Sequence, residues 1–230
     1  MTETTFSLDL SAAELAWLAG AFGQTRLLLP EAPLQRLLDD ELSAELAVGQ
    51  ASLAQRGLIR HVPGSGWQVE GAAAAVVQLL AGSERTLSLL HLDRDGIRSR
   101  AMLYRAAGMH LLLESPPAFH LTFCQDAKTA LEALLAPLGP LPARAPAGGP
   151  VPLPGAGALF PDAWRKVPAL ADVQEVLLLT SVESGTGTAP RRGLLLGPGW
   201  RGGELDAQGS ALVRPLSTAA ARKLLQTVMG

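Results

Sequence analysis

Behind Ser11-Ala12-Ala13-Glu14 the apolar residues Leu15, Trp17, Leu18 and Phe22 recur at helical spacing. A Ser-x-x-Glu start lets the hydroxyl and the carboxylate each accept from the other residue's free backbone N–H, so it predicts a helix opening at Ser11, closed at Gly23. A short extended piece over 26–29 ends at Pro30. The next helix is predicted over about 40–56, with Leu42, Leu46, Ala47 and Leu53 on one face and Gly57 as its stop. Two β-type runs, 58–62 and 67–70, flank Pro63-Gly64-Ser65-Gly66 and read as a hairpin. An Ala-rich helix over 71–81 then stops at Gly82.

From Arg85 the pattern becomes strand-like. Runs at 87–92, 97–104, 109–114 and 119–124 are separated by turn residues, and Asp126 caps a helix carrying Leu131, Leu134 and Leu135. The segment 139–157 is dominated by Pro, Gly and Ala, with Arg144 as its only charge, and is expected to be an irregular linker. Beyond a short helical segment at 160–164, runs at 174–182, 192–196, 200–205 and 211–214 repeat the order, and Ser217 caps a terminal helix with Leu224, Leu225 and Val228 inward. Four strands and a helix thus occur twice. The fold class expected is α+β (mixed α/β), a pseudo-twofold duplicated antiparallel sheet with flanking helices and an N-terminal helix–hairpin segment. The divisions expected are 1–138, the linker 139–157, and 158–230, within one compact domain.

Charge sharpens this picture more than composition does. Of 230 residues 48% are hydrophobic, 17% charged and 4% aromatic, and the net charge is −2. That total hides an acidic stretch: residues 1–82 carry four Arg against nine Asp/Glu, a net of −5. The helix–hairpin at 41–70 has the outline of a winged helix, but a DNA reader needs several cationic phosphate contacts and this segment would repel the backbone. One Cys excludes an intrachain disulfide and any Cys-rich zinc site. The absence of Asn excludes N-glycosylation, and the first ten residues lack the basic and apolar regions of a signal peptide. No run reaches the length of a membrane span. A cytoplasmic protein without membrane or nucleic-acid partner is expected.

Chemistry-bearing motifs are sparse. Gly197-Pro198-Gly199-Trp200-Arg201-Gly202 matches G-x-G-x-x-G, yet a dinucleotide fingerprint must open a helix after a parallel strand, and Pro198 in β-like surroundings predicts a hairpin turn instead. His91, His110 and His120 fall inside strand runs without metal-ligand spacing, and Cys124 ends a strand, where it reads as a small buried hydrophobe. Asp93 and Asp95 are explained by turn chemistry. No catalytic constellation, cofactor site or metal site is expected. The strand at 174–182 is apolar on both faces, as are 194–196 and 111–113, so one face of each meets the chain's own core and the other its own chain or a partner. On that basis Leu178, Leu194, Leu196, Trp200 and Arg201 are the expected partner-binding residues, Trp200-Arg201 being an aromatic–Arg pair of the kind enriched at interface centres.

The run Leu46…Ala51-Ser52-Leu53-Ala54-Gln55-Arg56-Gly57-Leu58-Ile59, the Ala-rich helix 72–80, and Leu79-Leu80-Ala81-Gly82-Ser83-Glu84-Arg85 leading into a strand resemble the EspG family, cytosolic chaperones of mycobacterial type VII secretion. That resemblance implies a mixed α/β body of pseudo-twofold character. It also implies a protein partner, a helical PE–PPE-type secretion substrate whose apolar tip the chaperone shields, with the chaperone a monomer or homodimer. The function expected is therefore that of a non-enzymatic binding protein. A winged-helix-containing transcriptional regulator or scaffold is the first alternative, and an enzyme built on the histidines and Cys124 the second.

Overall fold

The computed structural model describes residues 6–21, 43–93, 95–115, 119–136, 143–153, 168, 172–183, 190–197 and 200–229. Five helices are present among them: α1 (Ala12–Ala21), α2 (Ser43–Gln55), α3 (Gly71–Ala81), α4 (Ala127–Leu135) and α5 (Thr218–Met229). The strands are β1 (Phe6–Leu10), β2 (Ile59–Val62), β3 (Gly66–Val69), β4 (Arg85–Asp93), β5 (Gly96–Ala106), β6 (Met109–Ser115), β7 (Phe119–Cys124), β8 (Val151–Leu153), β9 (Glu175–Glu183), β10 (Arg191–Gly197), β11 (Arg201–Leu205) and β12 (Ala211–Pro215). The predicted segments 26–29 and 160–164, with Leu42 and Gly23, lie outside the described residues.

The chain forms two compact units, Met1–Thr86 with Met102–Ala130, and Leu87–Ala101 with Leu131–Gly230. Their boundary passes through β4, β5 and α4, so it does not coincide with the segment 139–157. In the first unit the strands lie in the order β1-β7-β6-β5. The registers Phe6↔Phe123, Leu8↔Leu121 and Leu10↔Phe119, continued by Leu111↔Phe123 and Leu113↔Leu121, set these apolar residues on one face. That face joins Leu15, Leu18, Leu53, Ile59, Val76 and Leu80, so α1, α2 and α3 share a core with the strands. Ser11 and Glu14 form the reciprocal cap their spacing predicts, Glu14 N–H donating to Ser11 Oγ at 3.2 Å and Ser11 N–H to Glu14 Oε2 at 2.7 Å. Ala47, expected on the inner face of α2, is exposed; only Leu53 of that set is fully buried, with Leu46 partly so.

In the second unit the order is β5-β4-β9-β10-β11-β12-β8. Leu194 faces Leu178 and Leu196 faces Val176, and this face forms an apolar cluster with Leu92, Leu153, Val173 and Val213. The opposite face, Leu177, Leu179 and Leu195, packs under α5: a Cβ on Gly193 would sit 2.8 Å from Val228 Cγ2, which is why β10 carries glycine there. Ser217 Oγ accepts from Ala220 N–H at 3.3 Å and starts α5 as expected.

Two strands depart from expectation. Val151–Leu153, inside the segment read as irregular, is β8, paired antiparallel to β12 as Val213↔Val151, Leu212↔Pro152 and Ala211↔Leu153. Pro152 is tolerated because, among the described residues, β8 ends the strand order and has no ladder on its other side. Leu153 is buried, so apolar pairing outweighs the low strand preference of the surrounding Pro and Gly. The second addition is β1, five residues whose partner β7 lies far along the chain. With them the repeat extends from four strands to five. In each repeat, taken in chain order, the first strand lies beside the fifth, and fourth, third and second follow: β1-β7-β6-β5-β4 and β8-β12-β11-β10-β9. The pseudo-twofold duplicated antiparallel architecture is thus present, with one strand more per repeat than the pattern of turns suggests.

Candidate partner-binding surfaces

Three of the five expected contact residues are interior. Leu194 and Leu196 lie in the apolar cluster of the second unit, and Leu178, on the same face, is half-buried. Trp200 is 6% exposed, and its ring lies over Gly197, where an added Cβ would meet ring carbons at 3.2–3.4 Å. Its carbonyl accepts from Leu216 N–H at 2.8 Å. Arg201 is half-buried and reaches the connector, Nη1 donating to the Gly149 carbonyl at 3.5 Å. Trp200 therefore packs against its own sheet, and Arg201 reaches the preceding segment through one long hydrogen bond. One apolar face of β9 and β10 packs against α5, and on the other Val176, Leu194 and Leu196 are buried in an apolar cluster with residues of neighbouring strands.

Gly197 ends β10 and Gly202 lies within β11, antiparallel to it, so these two glycines of the G-x-G-x-x-G match sit in paired strands and not at the start of a helix.

The first unit contains the helix–hairpin–helix of winged-helix outline, α2, β2, β3 and α3, and its cations are spent internally. Arg56 Nη1 donates to Glu14 Oε1 at 2.8 Å and Oε2 at 3.0 Å, and its Nη2 to the Asp9 carbonyl at 2.8 Å. Ser52 Oγ donates to Glu14 Oε1 at 2.8 Å. Burial by itself would raise the Glu14 pKa, but the Ser11 N–H, the Arg56 guanidinium and the Ser52 hydroxyl outweigh it and hold the carboxyl below its ordinary value. Arg60 is paired with Glu70 at 2.7 Å. Arg56 and Arg60 are the only Lys or Arg among the described residues up to 82, and both face carboxylates. Ala44, Ala47, Val48, Ala51 and Gln55 form an uncharged outward face of α2, with Val48 66% exposed, and the exposed Glu45 beside it is the helix's one charge, a negative one. Such a surface offers nothing to phosphates.

It offers apolar contact instead. Trp67 on β3 is 40% exposed and is held edge-on by Trp17 at 6.2 Å and His61 at 5.2 Å between ring centroids. Beside it runs a groove of about 560 Å³ between Trp67, Gln68 and Val69 of β3 and Ala74, Val77, Gln78 and Ala81 of α3. Positions 74, 77, 78 and 81 recur at helical spacing along one side of α3, and the alanines at 74 and 81 leave room there.

The histidines sit in strands as expected. His120 Nδ1 lies 2.6 Å from Asp9 Oδ1, tying β7 to β1. His91 is buried, its Nε2 3.8 Å from Glu175 Oε2. Asp93 accepts from the Asp95 and Gly96 N–H groups and pairs with Arg98, which accounts for the turn carboxylates. His110 stands opposite Cys124 across β6 and β7. Burial lowers the pKa of the imidazole and raises that of the thiol, so both are driven to their neutral forms, the reverse of a thiolate–imidazolium pair. Among the described residues no three His, Cys, Asp or Glu side chains are grouped to hold a metal ion. No helix among them is long and apolar enough to cross a membrane.

Against solved structures the chain aligns over 97% of its length, and 95% of the other chain, with the Mycobacterium tuberculosis type VII secretion system chaperone EspG5, at a TM-score of 0.60 and 13% sequence identity. The two chains share one fold. The EspG5 structure is that of its complex with the PE25-PPE41 dimer, so the fold has a protein-binding chaperone among its members. No family model matches the sequence, and no curated protein does. The likeness to EspG5 therefore lives in strand order and packing. The low-specificity Leu, Ala, Gly and Arg runs that carried the family resemblance in sequence map onto α2, the turn at Gly57 and α3. The Trp67 groove was legible only in hindsight: Trp67 is flanked by turn glycines, and the α3 sequence is Ala-rich where a packed helix would carry larger side chains on every inward position.

Proposed function

We propose that the chain is a non-enzymatic, cytoplasmic binding protein that holds a helical secretion substrate of the PE–PPE type and keeps its apolar tip from aggregating. The observation that carries this reading is the end-to-end coverage of the match to EspG5, 97% of one chain and 95% of the other, because a shared subdomain alone would leave either chain largely unmatched. The paired arginines and the uncharged face of α2 favour a protein partner over nucleic acid. Two surfaces are candidates for an apolar helix tip: the Trp67 groove, and the half-buried Leu178 and Arg201 on the sheet face they share with the buried Leu194 and Leu196. Co-expression with helical-hairpin proteins of the PE–PPE type, followed by affinity capture and size-exclusion chromatography, tests the reading. A co-eluting helical partner that precipitates when expressed alone is the expected result. Retention of none of those proteins by a folded chain would overturn it. Trp67→Ala and Leu178→Asp, made separately, assign the contact to one surface by which of them loses the partner.

A further inference from the structure

His110 is 5% exposed, and its Nδ1 is buried without a hydrogen-bond partner among the described residues. Three groups bear on the imidazole. Cys124 lies directly across the β6–β7 pair. Arg105, on β5, adds a positive field that disfavours imidazolium, and Asp126, before α4, a negative one that favours it. The Asp126 carboxylate is already committed to capping α4: Oδ1 accepts from Thr129 N–H at 2.9 Å and Oδ2 from Thr129 Oγ1 at 2.7 Å. An imidazolium here would be a buried charge with an orphaned donor, beside a guanidinium and a carboxylate already engaged in the helix cap.

We infer that His110 is an acid-sensitive latch on the first unit, closed while neutral and opening the β6–β7 strand pair beside Asp126 when it takes a proton. Protonation needs solvent, so it selects the locally open state in which imidazole and solvent meet. The sign follows from linkage: a histidine held neutral by the fold takes its proton in the open state, so opening becomes more favourable as pH falls through the ordinary imidazole range. If the closed state stays unprotonated, an open-state value of about 6.5 makes the open population rise about tenfold between pH 7.5 and 5.5. This device does not depend on which partner the protein binds.

Cys124 is the only cysteine in the chain, is buried, and faces His110, so its thiol reports this opening. The experiment measures the rate of Cys124 modification by 4,4′-dithiodipyridine at pH 7.5 and 5.5, each normalised to free cysteine at the same pH. Protection in the wild-type chain is expected to fall about tenfold on acidification. In His110→Leu, which keeps the site apolar and removes the titrating nitrogen, protection is expected to be the same at both pH values. His110→Gln serves if the leucine variant does not fold. PH-independent protection in the wild-type chain, or an equal fall in a folded His110 variant, would overturn the latch.

Discussion

Replacing Gly49 by alanine isolates how closely α1 and α2 approach. An added Cβ would lie 2.3 Å from the Ala13 carbonyl oxygen, 2.5 Å from its carbon and 2.9 Å from Glu14 N, all backbone atoms that no rotamer can move aside. Ordinary contact needs roughly 3.5 Å, so the helices must separate by about 1 Å. Separation also stretches the bonds that Ser52 and Arg56 make to Glu14, since both donors ride on the C-terminal end of α2 and the acceptor on α1. Alanine is favoured over glycine in a helix by about 1 kcal/mol. Overpacking a close contact costs about 1–3 kcal/mol, and the strained Glu14 cluster adds to it. A net destabilisation of about 1–3 kcal/mol is expected. Gly20, exposed on α1 with nothing within 4 Å of an added Cβ, is the matched control, and Gly20→Ala is expected to be neutral or stabilising by a few tenths of a kcal/mol. Urea unfolding followed by circular dichroism measures both. Equal or greater stability of Gly49→Ala would refute the backbone-to-backbone crossing, because propensity alone would then have decided the sign.

Other perturbations separate the remaining roles. Glu14→Gln leaves Arg56 without its carboxylate and is expected to cost about 1–3 kcal/mol, reduced from the fully buried case because Arg56 is part-exposed. The folded state holds the Glu14 pKa below its ordinary value of 4.5, so its contribution is present above that pH and lost as pH falls through the depressed value; acid titration of stability should lose that component in Glu14→Gln. Leu196→Ala empties a site in the second core and should cost about 2–5 kcal/mol by chemical denaturation. Arg201→Ala removes one long hydrogen bond to Gly149 and should leave the melting midpoint nearly unchanged.

The strands that pair with sequence neighbours were legible because each carries its own turn: the hairpin glycines at 64 and 66 adopt positive φ, as does Gly108 between β5 and β6. Capped helices were legible for the same local reason, as at Ser11, Asp126 and Ser217. β1 and β8 were not. Neither has a turn joining it to its partner, and β8 contains Pro152, whose cost disappears only when the strand's place at the end of the order is known. Apolar residues on both faces of β9 and β10 say that a layer lies against each face, but not that α5 is one of those layers. The charge asymmetry of residues 1–82 survived because it concerns numbers of charges, and the fold then spent Arg56 and Arg60 on Glu14 and Glu70.

The mirrored strand order also sets a schedule for the growing chain. In each repeat the first strand made is the neighbour of the last, so a ribosome delivers β1 roughly 110 residues before β7 and β8 about 60 residues before β12. At translation speeds of about 5–20 residues per second, β1 waits on the order of 5–20 s for its hydrogen-bonding partner. Leu8 and Leu10 share a core with α1, α2 and α3, all of which emerge within that interval, so their side chains have a surface to rest on while their backbone stays unpaired. A nascent chain stalled before β7 would therefore present β1 as an open edge, and completion of each repeat coincides with the closing of that edge.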